Sequence, residues 1–278
     1  MVDKARGLAR LDVALLDLED GVPRLEKDNA RRKVADILAR WDAMRPMPVV
    51  RINGIASEYF VADITAVVRP GLAGIVLPKT ERADDVVTVD RLVAERERAA
   101  GMSAQSVPFV ASIESAAGLL NAAAIARAPR VAGLLFGAED WANDLGLPTE
   151  RAGDALDLVY VRSAIVVAAA AARIAAFDGV WPGIEDADGL RRDSIRARQL
   201  GFSGKTCIHP NQIDLVNEVF TPSAREVEAA RGLVSAFEEA ERGGTGAITY
   251  AGKMVDRPVV ERARRVLRLS ELSREVSR

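Results

Sequence analysis

Cysteine and histidine are almost absent from this chain. Cys207 alone excludes an intrachain disulfide and zinc sites of the multi-cysteine kind, and His209 alone excludes histidine-rich metal sites. Any metal would have to rest on carboxylates, which favours Mg2+ or Mn2+. Neither sign of charge dominates: 38 Lys and Arg stand against 40 Asp and Glu, for a formal charge of -2. Nothing therefore draws the chain to a polyanion, and nucleic-acid binding is not expected. The longest apolar run, residues 164–172, falls far short of the ~20 residues that cross a bilayer. The opening MVDKARGLAR lacks the apolar core of a signal peptide. These absences lead us to expect a reduced, cytoplasmic protein with no membrane partner. What is present is a large apolar fraction, 49% of 278 residues, enough for one α/β barrel domain or two small domains.

Short β-type runs alternate with longer helical ones. Strands are expected over residues 13–18, 48–52, 74–77, 107–113, 131–136, 177–181 and 202–208. Most are nearly continuous in Val, Ile, Leu and Phe, as parallel strands covered on both faces should be. Helices are expected over 25–41, 57–68, 82–100, 116–127, 155–175 and 186–200, then over 210–219, 223–242 and 258–272. The alternation predicts a parallel sheet. Seven strands fall one short of a closed barrel, and the first eleven residues read as the end of a helix leading into the first strand. The expected architecture is a TIM (β/α)8-type barrel lacking its first strand. Gly243, Gly244 and Gly246 form the one convincing linker, dividing a barrel over 1–242 from a small C-terminal unit over 243–278.

The strand ends are unusually polar, and barrel active sites are built from such positions. In order they carry Asp17, Glu19 and Asp20 (LDLED), Arg51 and Asn53 (VVRIN), Lys79 (IVLPK), Glu114 (ASIES), Glu139 and Asp140 (LLFGAED), Asp178 (FDGVW), and Lys205 and His209 (GKTCIHP). Each has a bland explanation taken alone: Asp20 as a helix cap, Lys79 as a solvated loop charge. Seven in succession, of both signs, point to one site. Glu114 and Asp140 are the metal candidates, because each follows an apolar run at a strand end. Two carboxylates plus waters and substrate oxygens make an open Mg2+ shell. The competing reading is a buried carboxylate paired with Arg51 or Lys79. Arg51 suits a substrate or oxyanion clamp, the alternative being an ion pair with Glu19 or Asp20.

Other features carry less. His209, before Pro210, reads as a hydrogen-bonded structural residue, and Cys207 as a core residue inside a strand. There is no GxSxG elbow for a Ser-His-Asp hydrolase. The GGTG stretch lacks the strand-before, helix-after setting of a phosphate loop.

With these residues laid out, the chain resembles the citrate lyase β-subunit-like proteins of the HpcH/HpaI aldolase superfamily, relatives of malyl-CoA, citramalyl-CoA and citryl-CoA lyases. The resemblance rests on LDLEDGV, VVRIN, IVLPK, SIESAAGLLNAAAIA, LLFGAEDWANDLG, GFSGKTCIHPNQI, FTPSAREVEAA and GKMVDRPVVERA, in the family order and across nearly the whole chain. It implies a TIM barrel with Mg2+ on Glu114 and Asp140, Mn2+ being the alternative, and Arg51 against the substrate. It implies that residues 243–278 are a helical lid, donating Asp256 to a neighbouring subunit's site in a homotrimer or homohexamer. It also implies an opening strand of the LFVPG type, which this sequence does not contain, and a phosphate contact that Lys4 would retain.

The implied reaction is Mg2+-dependent retro-Claisen cleavage of a 3-hydroxyacyl-CoA of the malyl-, citramalyl- or citryl-CoA type. Its products are an oxo acid and acetyl- or propionyl-CoA, so coenzyme A enters as part of the substrate. Arg51, Lys79, Lys4 and Glu114 would contact substrate, Asp256 would exchange a proton with the enolate carbon, and Glu19 and Asp20 would orient Arg51 or water. Two rival readings share these residues: a CoA-independent metal-dependent aldolase, and a non-catalytic subunit binding CoA or an oxo acid.

Overall fold

The computed structural model describes residues 8, 10–41, 45–148 and 156–276. The chain divides into two compact units, Met1–Ile213 and Asp214–Arg278. In the first, seven strands lie side by side in sequence order: β1 (Val13–Asp17), β2 (Met47–Arg51), β3 (Gly74–Leu77), β4 (Phe109–Ile113), β5 (Val131–Phe136), β6 (Ala175–Asp178) and β7 (Gly204–Lys205). Every neighbouring pair is parallel. Between them run α1 (Lys27–Leu38), α2 (Phe60–Val67), α3 (Ala83–Ala99), α4 (Ala116–Ile125), a short α5 (Ala138–Asp144), α6 (Val159–Ala172) and α7 (Ala187–Leu200). This is the expected barrel-type sheet one strand short of closure. Among the described residues nothing pairs with the outer edges of β1 and β7.

Burial varies from strand to strand. In β3, bordered on both sides, all four residues are buried. In β1 burial alternates: Ala14 and Leu16 are buried, while Val13 and Leu15 on the other face are each 37% exposed. Helices supply their apolar stripes in turn, such as Val34, Ala35 and Leu38 of α1 and Val86, Val89 and Val93 of α3.

The last two strands differ from expectation. Arg173, at φ 60°, closes α6 in the left-handed region, so β6 starts at Ala175 rather than 177. It ends at Asp178 because β5, its partner, turns into α5 after Phe136. A strand extends only as far as its neighbour, and β7 accordingly shrinks to two residues. Cys207 therefore lies beyond the strand, half-buried, with burial pushing its thiol up to about 11. The helix expected from residue 155 begins, as described, with a turn at Leu156–Leu158. The first part of that helix and most of the opening eleven residues lie outside the described residues.

The second unit contains α8 (Ile213–Phe220, its first residue at the boundary), α9 (Ala224–Arg242), an antiparallel hairpin of β8 (Ile248–Tyr250) and β9 (Lys253–Val255), and α10 (Arg257–Val276). A capping box of Ser223 and Glu226 starts α9. Phe237, Val255 and Val260 form a small core with Leu233, Val234, Ile248 and Tyr250 around it. The boundary thus falls at 213/214, and the glycine stretch lies inside this unit, leading from α9 into the hairpin. Among the described residues no helix is long and apolar enough to cross a membrane.

Candidate active site

Because the strands are parallel, their C-terminal ends share one rim, and five successive ends bring charge to it. Asp17 and Arg51 are register partners on β1 and β2. The guanidinium donates through Nε and Nη2 to the two Asp17 oxygens, both at 2.7 Å, and Nη1 lies 3.2 Å from Glu19 Oε2. Asp17 also accepts the N–H groups of Glu19 and Gly21, each at 2.9 Å, which shapes the turn after β1. Burial pushes the Asp17 carboxyl up, but the Arg51 hydrogen bonds and charge outweigh it and hold the group below its ordinary range. Arg51 therefore pairs with Asp17 and Glu19, and Asp20 turns elsewhere.

Lys79 stands two residues beyond β3 at φ 49°, a left-handed conformation that costs a non-glycine residue roughly 1 kcal/mol. That turn aims its backbone N–H at Glu114 Oε2, 3.2 Å away. Its ammonium meets Glu19 Oε1 at 2.7 Å, Asp20 Oδ2 at 2.9 Å and Asp140 Oδ1 at 3.8 Å. Burial works against the charged form, yet the hydrogen bonds to Glu19 and Asp20 raise the lysine well above its usual value.

Glu114 follows β4 directly and is buried. Asp140 does not end a strand. It sits in the first turn of α5, four residues past Phe136, held there by buried Ala138, Trp141 and Ala142. Asp144 at the end of α5 accepts the N–H of Ala116 at 2.8 Å, tying this helix to the segment after Glu114. Gly137 leaves the space: a Cβ there would come within 2.8 Å of Glu114 Cδ and 2.9 Å of its Oε1. Burial, then the charges of Asp140 and Glu19, push the Glu114 carboxyl up to about 7.

Five carboxylates (Asp17, Glu19, Asp20, Glu114, Asp140) thus face two cations, Arg51 and Lys79. The remaining strand ends go elsewhere. Asp178 and Lys205 are fully buried with Arg162 and Asp193, two cations against two anions. Lys205 Nζ is 2.6 Å from both aspartates. That cluster is neutral and closed; the rim cluster carries excess negative charge and is partly open. His209 Nδ1 accepts the N–H of Asn211 in the turn that it starts, a structural role.

A second set of residues supports the rim. Buried Lys27 donates to Leu18 O and Glu19 O, each at 2.8 Å, and to Asn53 Oδ1 at 2.7 Å. Asn53 Nδ2 bonds Leu18 O and Asp63 Oδ2, and Arg31 Nε bonds Asp63 Oδ1 at 2.8 Å. The sequence reading missed Lys27 and Asp63. The signal was present: each lies on the apolar stripe of its helix, Lys27 with Val34 and Leu38, Asp63 with Phe60, Ile64 and Val67.

Asp256 belongs to the second unit, where it opens α10; its backbone oxygen accepts from Val260 and Oδ1 lies 3.4 Å from the N–H of Val259. Lys4 lies outside the described residues. Among the described residues no group of three His, Cys, Asp or Glu could hold a metal ion. The rim offers at most two protein ligands, which is what an open Mg2+ shell needs. The excess of carboxylates over cations on the rim suits a divalent cation at Glu114 and Asp140.

An α/β barrel-type sheet with charged residues gathered on its C-terminal rim is the class of fold that builds enzyme active sites at that rim. The chain belongs to the HpcH/HpaI aldolase/citrate lyase family, which matches residues 1–210, and is an enzyme of the lyase class. It is 41% identical over 268 residues to citrate lyase subunit beta of Leuconostoc mesenteroides subsp. cremoris, covering 96% of this chain and 88% of that protein. It is 37% identical over 270 residues to a (3S)-malyl-CoA thioesterase of Cereibacter sphaeroides, covering 97% and 90%. Among solved structures it is similar to the protein CitE from Mycobacterium tuberculosis in complex with magnesium, acetoacetate and coenzyme A. The two share 33% identity at a TM-score of 0.77, over 95% of this chain and 91% of that one.

Proposed function

We propose that this protein is a Mg2+-dependent CoA-ester lyase that cleaves a 3-hydroxyacyl-CoA of the malyl-, citramalyl- or citryl-CoA type into an oxo acid and acetyl- or propionyl-CoA. The observation that carries the reading is the gathering of Asp17, Glu19, Asp20, Glu114 and Asp140 on one rim around only two cations, Arg51 and Lys79, an arrangement that a divalent cation at Glu114 and Asp140 would balance. The family membership and the magnesium and coenzyme A complex of the mycobacterial relative support it. Bound Mg2+ would supply Lewis acidity toward the oxygens of the oxo-acid half.

The chain's own residues do the rest. Cleavage leaves an electron pair on the CoA half as a thioester enolate, whose oxygen needs a cation. Arg51 provides it, a planar fork held at the correct angle by Asp17 and Glu19. Glu19 and Asp20 hold Lys79 over the rim, where its ammonium can meet a substrate carboxylate. The hydroxyl loses its proton as the C–C bond breaks, and the enolate carbon must gain one. In this reading the carboxylate of Asp256 from a neighbouring subunit takes the first and returns it to the carbon, in a homotrimer or homohexamer. Residues 243–278 serve as the lid that carries it.

The thioesterase relatives support a second outcome, hydrolysis of the thioester. A panel of malyl-, citramalyl- and citryl-CoA, with Mg2+ and with EDTA, separates the possibilities. Release of acetyl- or propionyl-CoA marks the lyase; release of free coenzyme A marks hydrolysis. Condensation of pyruvate with an aldehyde, without any CoA turnover, would mark the CoA-independent aldolase. Inertness toward all of them, with Mg2+ bound, would leave only a binding subunit.

A further inference from the structure

Lys79 touches four of the five rim carboxylates: Glu114 through its backbone N–H, and Glu19, Asp20 and Asp140 with its ammonium. The two halves of the residue differ in freedom. The backbone is fixed by its left-handed turn and by burial of Thr80, whereas the side chain is 46% exposed and ends on a flexible stem. Arg51, the other cation, is committed to Asp17 by two parallel hydrogen bonds. Only Lys79 can redistribute its charge without breaking a bidentate pair.

We propose that Lys79 is the internal counter-ion of this rim: in the cation-free protein its ammonium pairs with Glu19, Asp20 and Asp140 and offsets part of their charge, and once a divalent cation takes over that task it turns to the carboxylate of the oxo acid. The proposal rests on the reading of Glu114 and Asp140 as the metal pair. It makes binding ordered, because the ammonium competes with the metal and cooperates with the acid. A divalent cation beside Asp140 repels an ammonium 3.8 Å from the same carboxylate, and an incoming anion offers that ammonium a new partner. Metal and acid then tighten each other's binding through Lys79 by equal factors.

The test is a titration of Mn2+ at fixed pH and ionic strength, read from the electron paramagnetic resonance of free Mn2+, with and without oxalate as a stable oxo-acid mimic. Wild type is compared with Lys79→Met and Lys79→Arg. Loss of one cation at this distance in a water-exposed setting should tighten Mn2+ alone about fivefold in Lys79→Met. The same variant should lose about tenfold of the tightening that oxalate gives to wild type, as expected for a lost charge-assisted hydrogen bond. Lys79→Arg, keeping the charge, should stay within about twofold of wild type without oxalate. Unchanged or weaker Mn2+ binding in Lys79→Met, with wild type binding normally, overturns the counter-ion role and leaves the metal pair standing. Tighter Mn2+ with undiminished oxalate coupling overturns the transfer to the acid. Failure of wild type to bind Mn2+ at all overturns the metal reading and this proposal with it.

Discussion

Glu114 is the residue on which stability and function oppose each other. Its carboxyl rests at about 7 in the folded protein against an ordinary 4.5, so the cation-free fold holds a proton that the unfolded chain would release. The contribution is fully present below the ordinary value and is lost as pH rises toward 7, up to about 3 kcal/mol by the size of the shift. Glu114→Gln keeps the shape and the acceptor for the Lys79 N–H but removes the charge. It should stabilise the metal-free protein at pH 8 by about 1–3 kcal/mol in urea unfolding while abolishing lyase activity and the Mg2+-induced rise in Tm. A variant no more stable than wild type at pH 8 would show that Glu114 is already compensated. In wild type the proton and the metal compete for this group. Mg2+ affinity should therefore be level above pH ~7.5 and fall about tenfold per unit below pH ~6.5. Gly137 acts on the same carboxylate by space alone. Gly137→Ala should displace Glu114 and weaken Mg2+ at least about tenfold, with far less effect on the urea midpoint than on the metal titration.

Two buried polar groupings hold the secondary elements, and they should respond differently to substitution. Lys27 spans the ends of β1 and β2 through three neutral oxygens, so Lys27→Met strands Glu19 O and Asn53 Oδ1 and leaves Leu18 O to the Asn53 amide alone. A loss of about 2–4 kcal/mol is expected, with lyase activity falling further than the unfolded fraction explains, because Glu19 loses its anchor. Breaking the neutral cluster of Arg162, Asp178, Asp193 and Lys205 by Asp178→Asn should cost about 3–5 kcal/mol and leave Mg2+ affinity within about twofold. Equal effects of the two substitutions on metal binding would erase the distinction between rim and support. Much of this organisation was legible in the sequence, since β1 to β5 are continuous apolar runs and five of their polar ends do converge. What was not legible depended on neighbours. The limits of β6 and β7 are set by where β5 turns, and the choice of Asp17 over Asp20 for Arg51 is set by register. The exclusion of Asp178 and Lys205 from the site follows from Arg162 and Asp193, which lie on α6 and α7, the helices just before β6 and β7. No one-dimensional pattern contains those pairings. Lys27 and Asp63 could have been found as charges placed on apolar helical stripes.

At the scale of the whole molecule, the proposal that Asp256 acts in a neighbouring subunit has its own test. The second unit has a core of its own around Phe237, Val255 and Val260, so it can hold Asp256 in a defined setting without borrowing apolar residues from the barrel. Among the described residues the Asp256 carboxylate makes one long contact, to the N–H of Val259, and helix capping leaves most of it uncommitted. Truncating such a weak cap should cost the fold little, about 0.5 kcal/mol, so loss of activity in Asp256→Ala would point to chemistry rather than stability. Glu114→Ala should be equally inactive for an independent reason, the missing metal ligand. Mixing the two inactive proteins under conditions that exchange subunits then separates service in trans from service in cis. In a cyclic oligomer whose lids act on the next subunit, random exchange joins an intact barrel to an intact Asp256 at about a quarter of the sites, and about a quarter of wild-type activity should return. If Asp256 acts on its own barrel, every site retains one lesion and nothing returns. Native mass spectrometry of isotopically labelled subunits verifies the exchange, so a silent mixture of demonstrably mixed oligomers would assign Asp256 to its own subunit or to no chemical role.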